Sequence, residues 1–247
     1  MRHRRKSLGL AVAVCAFALV ATPALAHEFT ASRAGKTKGS TETEQLFKFG
    51  PFHITCEKAV ARGLVAAGSS KTYATVANFT KCSTAAKISN RPIKLPTKFL
   101  TPLAVEYHAN GFVETGSEVE EVEGAAVLAG GTVEIKVYTG ITEGRTASRC
   151  TISWPEQTLP IKAIKNPEGE YSAASFSNVA TPSPYLGKFP DGFQHSIEIS
   201  NSFKGIKVEF AGEPCEEWGK EEGPESAGGT YFGSFPQILQ GGNFEYS

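Results

Sequence analysis

The chain has only one aspartate, Asp191, although 25 of its 247 residues are acidic. Calcium loops of the EF-hand type need several aspartate or asparagine oxygens at fixed spacing, so this kind of site is excluded. The His-x-His and His-Glu-x-x-His patterns of zinc sites are also missing. No two cysteines are close enough in sequence to form the Cys-x-x-Cys pairs of structural zinc sites. We therefore expect neither a metal nor another cofactor.

Basic residues are not in excess, since 25 lysines and arginines balance the 25 acidic residues. Four of these basic residues lie within the first six positions, in a leader that we expect to be removed. The remaining chain is mildly acidic and has no basic stripe, whereas proteins that bind a phosphate backbone need one. A nucleic-acid partner is therefore not expected.

No Gly-x-Ser-x-Gly motif is present, which argues against an α/β-hydrolase. The internal histidines, His53, His108 and His195, lie outside any recognised catalytic motif. A Ser–His–Glu set assembled only in three dimensions stays open, because such residues need not be neighbours in sequence. From the sequence we assign no catalytic residue.

Glutamates form two clusters, one before the middle of the chain and one near its end. Two glutamates that face each other about 5–10 Å apart would suit glycoside hydrolysis. Either cluster is also compatible with a weak cation site or with a solvated loop that keeps an exported protein soluble. The clusters are Glu114, Glu118, Glu120, Glu121 and Glu123, and then Glu216, Glu217, Glu221, Glu222 and Glu225.

The N-terminus has the pattern of a secretory signal peptide. A basic segment over residues 2–6 precedes an apolar run over residues 8–20, and Ala24-Leu25-Ala26 fits the small-x-small cleavage site. We expect residues 1–26 to be a signal peptide that is cleaved after Ala26. Residues 27–247 are then one secreted, extracellular, β-rich domain that is not attached to a membrane.

Four cysteines remain in the exported chain, and an even number in an oxidising compartment indicates two disulfides. Four cysteines allow three pairings. Because sequential elements are usually adjacent in space, we predict Cys56–Cys82 and Cys150–Cys215.

Short stretches of alternating apolar and polar residues recur along the chain, and this period of two is typical of half-buried strands. One face of the first such stretch carries Phe52, Ile54 and Cys56. A later stretch places Cys150, Ile152 and Trp154 on one face. We predict an all-β fold of roughly ten or more short antiparallel strands, arranged as a two-sheet β-sandwich or a partly open barrel.

Several connections follow from turn residues and prolines. Residues 35–43 are predicted as a polar loop, and residues 59–67 as a short helix, a strand or an irregular crossing segment. Residues 83–102 are predicted as a proline-rich loop in which any strand lies at an edge. Two hairpins are predicted, one at Gly130-Gly131 and one between the alternating runs that begin at Ile197 and end at Phe210.

Several short motifs resemble those of exported, four-cysteine, β-rich proteins of unknown function from high-GC Gram-positive bacteria. The resemblance implies export and a β fold but no activity and no functional residue. It rests on the segments that begin at His27, Thr55, Phe79, Cys150, Phe203 and Gly229 (HEFTAS, TC, FTKC, CTI, FKGI and GTYFG).

These observations favour a non-enzymatic binding or structural domain of the extracellular space or the cell envelope. The expected partner is an envelope component or an extracellular glycan, and exposed aromatic residues are the candidates for sugar contact. Parity places Trp154 inside the fold and Tyr231 and Phe232 on opposite faces of one strand, while Trp218 lies in a glutamate-rich loop. The alternative function is a secreted glycoside-active hydrolase that uses a pair of glutamates.

Overall fold

A computed structural model describes residues 28–88, 91–115, 118–139, 146–161, 173–183, 187–212, 215 and 228–247. The described residues form seventeen β-strands, and the strand pairs among them are antiparallel, so the all-β prediction is confirmed. The strands are β1 (Phe29–Ala31), β2 (Gly35–Thr41), β3 (Gln45–Phe49), β4 (Phe52–Val65), β5 (Gly68–Ser70), β6 (Thr72–Ile88), β7 (Arg91–Phe99), β8 (Leu103–Thr115), β9 (Glu118–Leu128), β10 (Gly131–Thr139), β11 (Thr146–Trp154), β12 (Gln157–Ile161), β13 (Ala173–Pro182), β14 (Phe193–Lys207), β15 (Glu209–Ala211), β16 (Gly228–Leu239) and β17 (Phe244–Tyr246).

Fourteen of these strands form one continuous sheet. Its main path runs β13-β14-β16-β2-β4-β6-β7-β10-β11-β15, and β3, β8, β9 and β12 pair beside this path. The two ends of this path are close in the sequence. β15 lies at one end, β14 is the second strand from the other end, and only Val208 separates the two strands in the chain. The arrangement as two stacked sheets stays a prediction.

A separate three-stranded sheet, β17-β1-β5, joins the two ends of the described chain. Phe29 pairs with Tyr246, and the backbone amides of Glu28 and Ser247 each donate to the carbonyl of the other. The phenyl ring of Phe29 packs against Tyr73 and Phe244. This small sheet therefore covers one end of the core.

The core is rich in aromatic side chains that alternate inward along the strands. In β3, Phe47 and Phe49 are buried while Leu46 and Lys48 point outward, as the period of two requires. The ring of Phe47 stacks on Tyr231, with 4.5 Å between the ring centroids. Burial of each such side chain contributes about 1.5–3 kcal/mol, so these contacts are a main source of stability.

Both predicted disulfides are present, Cys56–Cys82 and Cys150–Cys215. Cys56 and Cys82 are directly opposite in the β4–β6 ladder, which makes the first bridge a cross-strand link. Cys150 lies in β11, on the same buried face as Ile152 and Trp154. The face predicted for this strand is therefore confirmed.

The segment predicted as a polar loop contains a strand, and residues 59–67 follow the strand alternative. Residues 35–43 contain β2, because Thr37 and Gly39 face inward while Lys36 and Lys38 face solvent. Residues 59–67 are mostly the second half of β4, which pairs with β2 over residues 59–65 and with β6 over residues 59–64. Strand pairing on both sides outweighs the weak local preference of alanine and glycine.

Neither predicted hairpin forms. At Gly130-Gly131 the chain passes from β9 to β10 without pairing them, since β9 pairs with β8 and β12. The Trp154 ring packs over Gly131, where a Cβ atom would lie 2.1 Å from it. The runs between Ile197 and Phe210 belong to β14 and β15, because Gly205, with φ of 72°, produces a bulge instead of a reversal.

The predicted proline-rich loop over residues 83–102 is also wrong, because β6 continues to Ile88 and β7 follows. Pro92 and Pro96 pair with β6 on one side, and β10 pairs with β7 only over residues 97–99. Proline has no amide proton to donate to a second neighbour. Within the described residues, both prolines therefore lie where β7 is an edge, as the proline rule requires.

Candidate functional site

A groove of about 960 Å³ lies on the outward face of four adjacent strands, β16, β2, β4 and β6. We call it the outer groove. The side chains that define it are Lys36, Lys38, Arg62, Leu64, Val76 and Ile238. Ligand sites for small molecules are typically 300–1,000 Å³, so the groove has the volume of such a site.

The strand register places the outer-groove side chains next to one another. Lys38 is directly opposite Arg62 on one side and Ile238 on the other. Arg62 is opposite Val76. Directly opposite residues have Cβ atoms about 4.5–5.5 Å apart, so these side chains form one continuous row across four strands.

The cations of the outer groove are not paired with acidic groups of the described residues. Within the described part of the chain, Lys36, Lys38 and Arg62 form no ion pair, and no carboxylate lines the groove. On the β6 side of the groove, Glu106 lies opposite Ala74. Its carboxylate lies 2.8 Å from the ring of His108 instead.

A buried polar cluster lies directly beneath the outer groove, and we call it the Thr37 cluster. The hydroxyls of Thr37 and Tyr73 both donate to Gln237 Oε1, at 2.8 and 2.5 Å. The two hydroxyl oxygens lie 2.6 Å apart. A Cβ atom on Gly63 would lie 2.3 Å from the Tyr73 hydroxyl, so only glycine leaves room for the cluster. The four residues come from four different strands and hold the floor of the groove together.

Two other buried tyrosines also donate to a carboxamide oxygen. Tyr107 donates to Asn201 Oδ1 at 2.7 Å, and Tyr231 donates to Gln45 Oε1 at 2.7 Å. Burial raises the pKa of Tyr107 and Tyr231 well above the usual value, and burial does the same to the pKa of Tyr73. A buried hydroxyl without a partner would be costly, and each carboxamide removes that cost.

The three histidines considered from the sequence lie in different places. His53 is exposed on β4, and His108 lies beside Glu106 with an angle that is not that of a hydrogen bond. Only His195 belongs to a cluster: Nε2 contacts Asp191 Oδ2 at 2.5 Å and Nδ1 contacts Glu245 Oε1 at 2.8 Å. Since carboxylates hold both ring nitrogens, the ring has no nitrogen left for a hydroxyl nucleophile.

The charges around His195 set its protonation state. The hydrogen bond that the His195 ring donates to the Asp191 carboxylate, followed by the charge of Glu245, raises the pKa of His195. The hydrogen bond to His195 lowers the pKa of Asp191. The cluster links the turn at Asp191 to β14 and β17. It is therefore a charge-assisted link between the main sheet and the small sheet.

We expect His195→Gln to destabilise the fold more at about pH 5.5 than at about pH 9. A raised histidine pKa contributes stability that is complete below the unfolded value near 6.5 and is lost as pH rises through the folded value. The Asp191 contribution, with a lowered pKa, is lost only as pH falls below about 4. Thermal melts at several pH values measure the difference.

The matched control for this substitution is His53→Gln, because His53 is exposed and has no ion pair among the described residues. Replacing this exposed side chain should change the melting temperature little. An equal loss of melting temperature for His195→Gln at both pH values would show that the ring acts only by packing.

The first glutamate cluster lies on two strands that are not among the four strands of the outer groove. Glu114 lies in β8, and Glu118, Glu120, Glu121 and Glu123 lie in β9. The second glutamate cluster (residues 216–225), Trp218 and the predicted signal peptide (residues 1–26) lie outside the described residues. The described part of the chain has no group of three or more His, Cys, Asp or Glu residues that could hold a metal ion.

The aromatic candidates for sugar contact are mostly buried. The Trp154 indole is inside the core and donates to the carbonyl of Ala129 at 3.0 Å. Tyr231 is buried and Phe232 is exposed, so their opposite faces are confirmed. No aromatic side chain of the described residues lines the outer groove. Sugar stacking therefore has no platform at this site.

Sequence reasoning missed the outer groove. Lys36 and Lys38 lie in the segment predicted as a loop. The alternation Lys36-Thr37-Lys38 was the one available signal for a strand there.

Comparison of the chain with protein-family models, with curated proteins and with solved structures found no match. Among the described residues, no helix is long and apolar enough to cross a membrane.

Proposed function

We propose that the chain is a secreted, non-enzymatic binding domain of the extracellular space or cell envelope, and that the outer groove binds an anionic ligand. Export is supported by the leader that ends at Ala26 and by the two disulfides, which persist in oxidising compartments. The intact mass of the exported protein tests cleavage at that position.

The observation that carries the proposal is the direct pairing of Lys38 with Arg62. Like charges directly opposite each other in an antiparallel ladder are destabilising. Lys36 adds a third positive charge on the same face, and within the described residues no carboxylate compensates it. An anion that bridges these side chains would remove the repulsion, which gives the groove a preference for negative charge.

The glutamate-pair hydrolase gains no support from this groove. Hydrolysis of a glycoside needs two carboxyl groups at the bond that is cleaved. None of the carboxylates in the described residues lines the groove. The lining of the groove therefore favours a binding domain over a glycoside hydrolase.

We expect Lys36→Gln/Lys38→Gln/Arg62→Gln to weaken binding of a short polyphosphate on the order of 100-fold. Each cation facing an anionic surface contributes on the order of 1 kcal/mol, and 1.4 kcal/mol is a factor of ten in affinity. Isothermal titration at low and moderate salt measures the change. The glutamine side chains remain long and polar, so the sheet should keep its fold.

The matched control is Lys94→Gln/Lys98→Gln/Lys136→Gln, which removes the same charge from exposed positions on β7 and β10. This control should retain affinity within a few-fold. Equal losses in the two triple variants would mean that polyphosphate binds through overall charge, and the assignment of the groove would then be wrong.

A further inference from the structure

Resting on this proposed function, we propose that the ligand is a single-chain anionic lipid bound as a monomer. Its head group lies on Lys36, Lys38 and Arg62, and its aliphatic chain lies across Leu64 and Val76. The inference comes from the arrangement of charged and apolar side chains in the outer groove. The charges alone do not identify the class of anionic ligand, whereas the apolar side chains beside them do.

The three cations form a compact triangle. Lys38 and Arg62 are directly opposite, and Lys36 is two residues along β2 on the same face, about 7 Å away. A phosphate or carboxylate head group placed between them can accept a hydrogen bond from each side chain. The triangle is therefore the size of one head group, and a long polymer is not needed to fill it.

An apolar strip begins directly beside this triangle. Leu64 is opposite Lys36 on one side and Ala74 on the other, and Val76 is opposite Arg62. Leu64 is 71% exposed and Val76 is 37% exposed, so both present apolar surface to the groove. Strands are about 4.8 Å apart and residues two positions apart in a strand are about 7 Å apart, so the strip runs about 5 Å from Leu64 to Ala74 and about 7 Å on to Val76. A chain attached to the head group would cover this surface.

The chemistry of the lining distinguishes a lipid monomer from other anions. A glycan would need aromatic stacking, and the lining side chains include none. A purely polar anion would leave the strip of Leu64, Ala74 and Val76 in water. A concave site of about 960 Å³ matches the size of a small-molecule pocket better than a flat membrane-docking surface.

The floor of the groove is already fixed before a ligand binds. The Thr37 cluster joins β2, β6 and β16 by hydrogen bonds between buried side chains, and Gly63 of β4 packs against it. A preformed site loses little conformational freedom on binding. The hydrophobic contribution of the chain is therefore available for affinity.

The test is isothermal titration of the full exported protein with dodecyl phosphate, butyl phosphate and neutral dodecyl maltoside, each below its micelle concentration. We expect dodecyl phosphate to bind on the order of 100-fold more tightly than butyl phosphate, which corresponds to burial of about four CH₂ groups. Dodecyl maltoside should bind far more weakly than dodecyl phosphate. In Leu64→Thr/Val76→Thr the advantage of the longer chain should fall below about 10-fold, because the apolar surface that the additional CH₂ groups cover is reduced.

Threonine is a good strand residue, so the double variant should keep the fold. Its control is Leu46→Thr/Leu100→Thr, which changes two other exposed leucines outside the groove and should leave the chain-length dependence intact. A vesicle of anionic phospholipid provides a further arm. Binding to the vesicle without binding of dodecyl phosphate would replace the lipid-monomer inference with membrane docking.

The outcomes separate this inference from the proposed function. If both phosphates bind with equal affinity and both are lost in Lys36→Gln/Lys38→Gln/Arg62→Gln, the anion site stands and the lipid inference is wrong. If dodecyl maltoside binds as tightly as dodecyl phosphate, the head-group assignment is wrong. If neither phosphate nor polyphosphate binds, the proposed function fails as well.

Discussion

Replacing Cys150 and Cys215 together by alanine is expected to lower the free energy of unfolding by about 4 kcal/mol. The bridge joins residues 65 positions apart, and on the chain-entropy model a loop of this length contributes about 4.3 kcal/mol. Both cysteines are fully buried, so their replacement also reduces packing in the core. Urea unfolding under non-reducing conditions measures the change.

The comparison for this variant is Cys56→Ala/Cys82→Ala. This bridge spans 26 positions and contributes about 3.5 kcal/mol on the same model. It also links residues already held opposite each other by the β4–β6 ladder. We therefore expect a smaller loss, with the fold retained in both variants. A larger loss from the shorter bridge would show that native-state packing, and not loop length, determines the contribution of each disulfide.

Raising the pH above about 10 is expected to destabilise the fold steeply, approaching about 4 kcal/mol per pH unit. Burial raises the pKa of Tyr73, Tyr107 and Tyr231 above that of an unfolded tyrosine, near 10. Above that value the unfolded chain loses three protons that the folded chain retains. Stability contributed by a raised pKa is present below the unfolded value and is lost as pH rises towards the folded value. Each group adds about 1.4 kcal/mol per unit.

Urea midpoints between about pH 9 and pH 11, together with tyrosinate absorbance, measure this effect. Tyrosinate of the buried residues should form only as circular dichroism shows unfolding. The matched variant is Tyr231→Phe, which keeps the ring contacts and removes one titrating group, so its slope should fall by about a third. Full tyrosinate absorbance in a protein that keeps native circular dichroism would contradict the inference that these buried tyrosines stay protonated in the folded state.

The disulfide frame and the strand content could be predicted from the sequence because they depend on local information. The inward face of Cys150, Ile152 and Trp154 follows from parity within one strand. The full length of β4 was harder to predict from alternation, because its inward positions shift by one residue between Cys56 and Ala59. Lys81, at φ of 55°, lies opposite this shift on β6. A change of phase inside a strand looks in the sequence like the end of that strand.

The outer groove depends on the strand register between segments that are far apart in the chain. This register could not be predicted from the sequence. Ile238 and Lys38 are paired across 200 positions of chain, and the Thr37 hydroxyl reaches Gln237 across the same distance. The pairing of Lys38 with Arg62 is also visible only once the β2–β4 ladder is known. Parity alone identifies outward lysines, and many exported proteins have those. Lys36, Lys38 and Arg62 are distinctive because strand pairing places them next to one another.

The small sheet has a mechanical consequence. Phe29 pairs with Tyr246 and Glu28 with Ser247, so both ends of the described chain lie at the same end of one short ladder. A pulling force applied to those ends loads the hydrogen bonds one after another, as in a zipper, and not all together in shear. The three-residue ladder would therefore open under low tension, and the disulfide-bridged sheet would bear load only after it had opened.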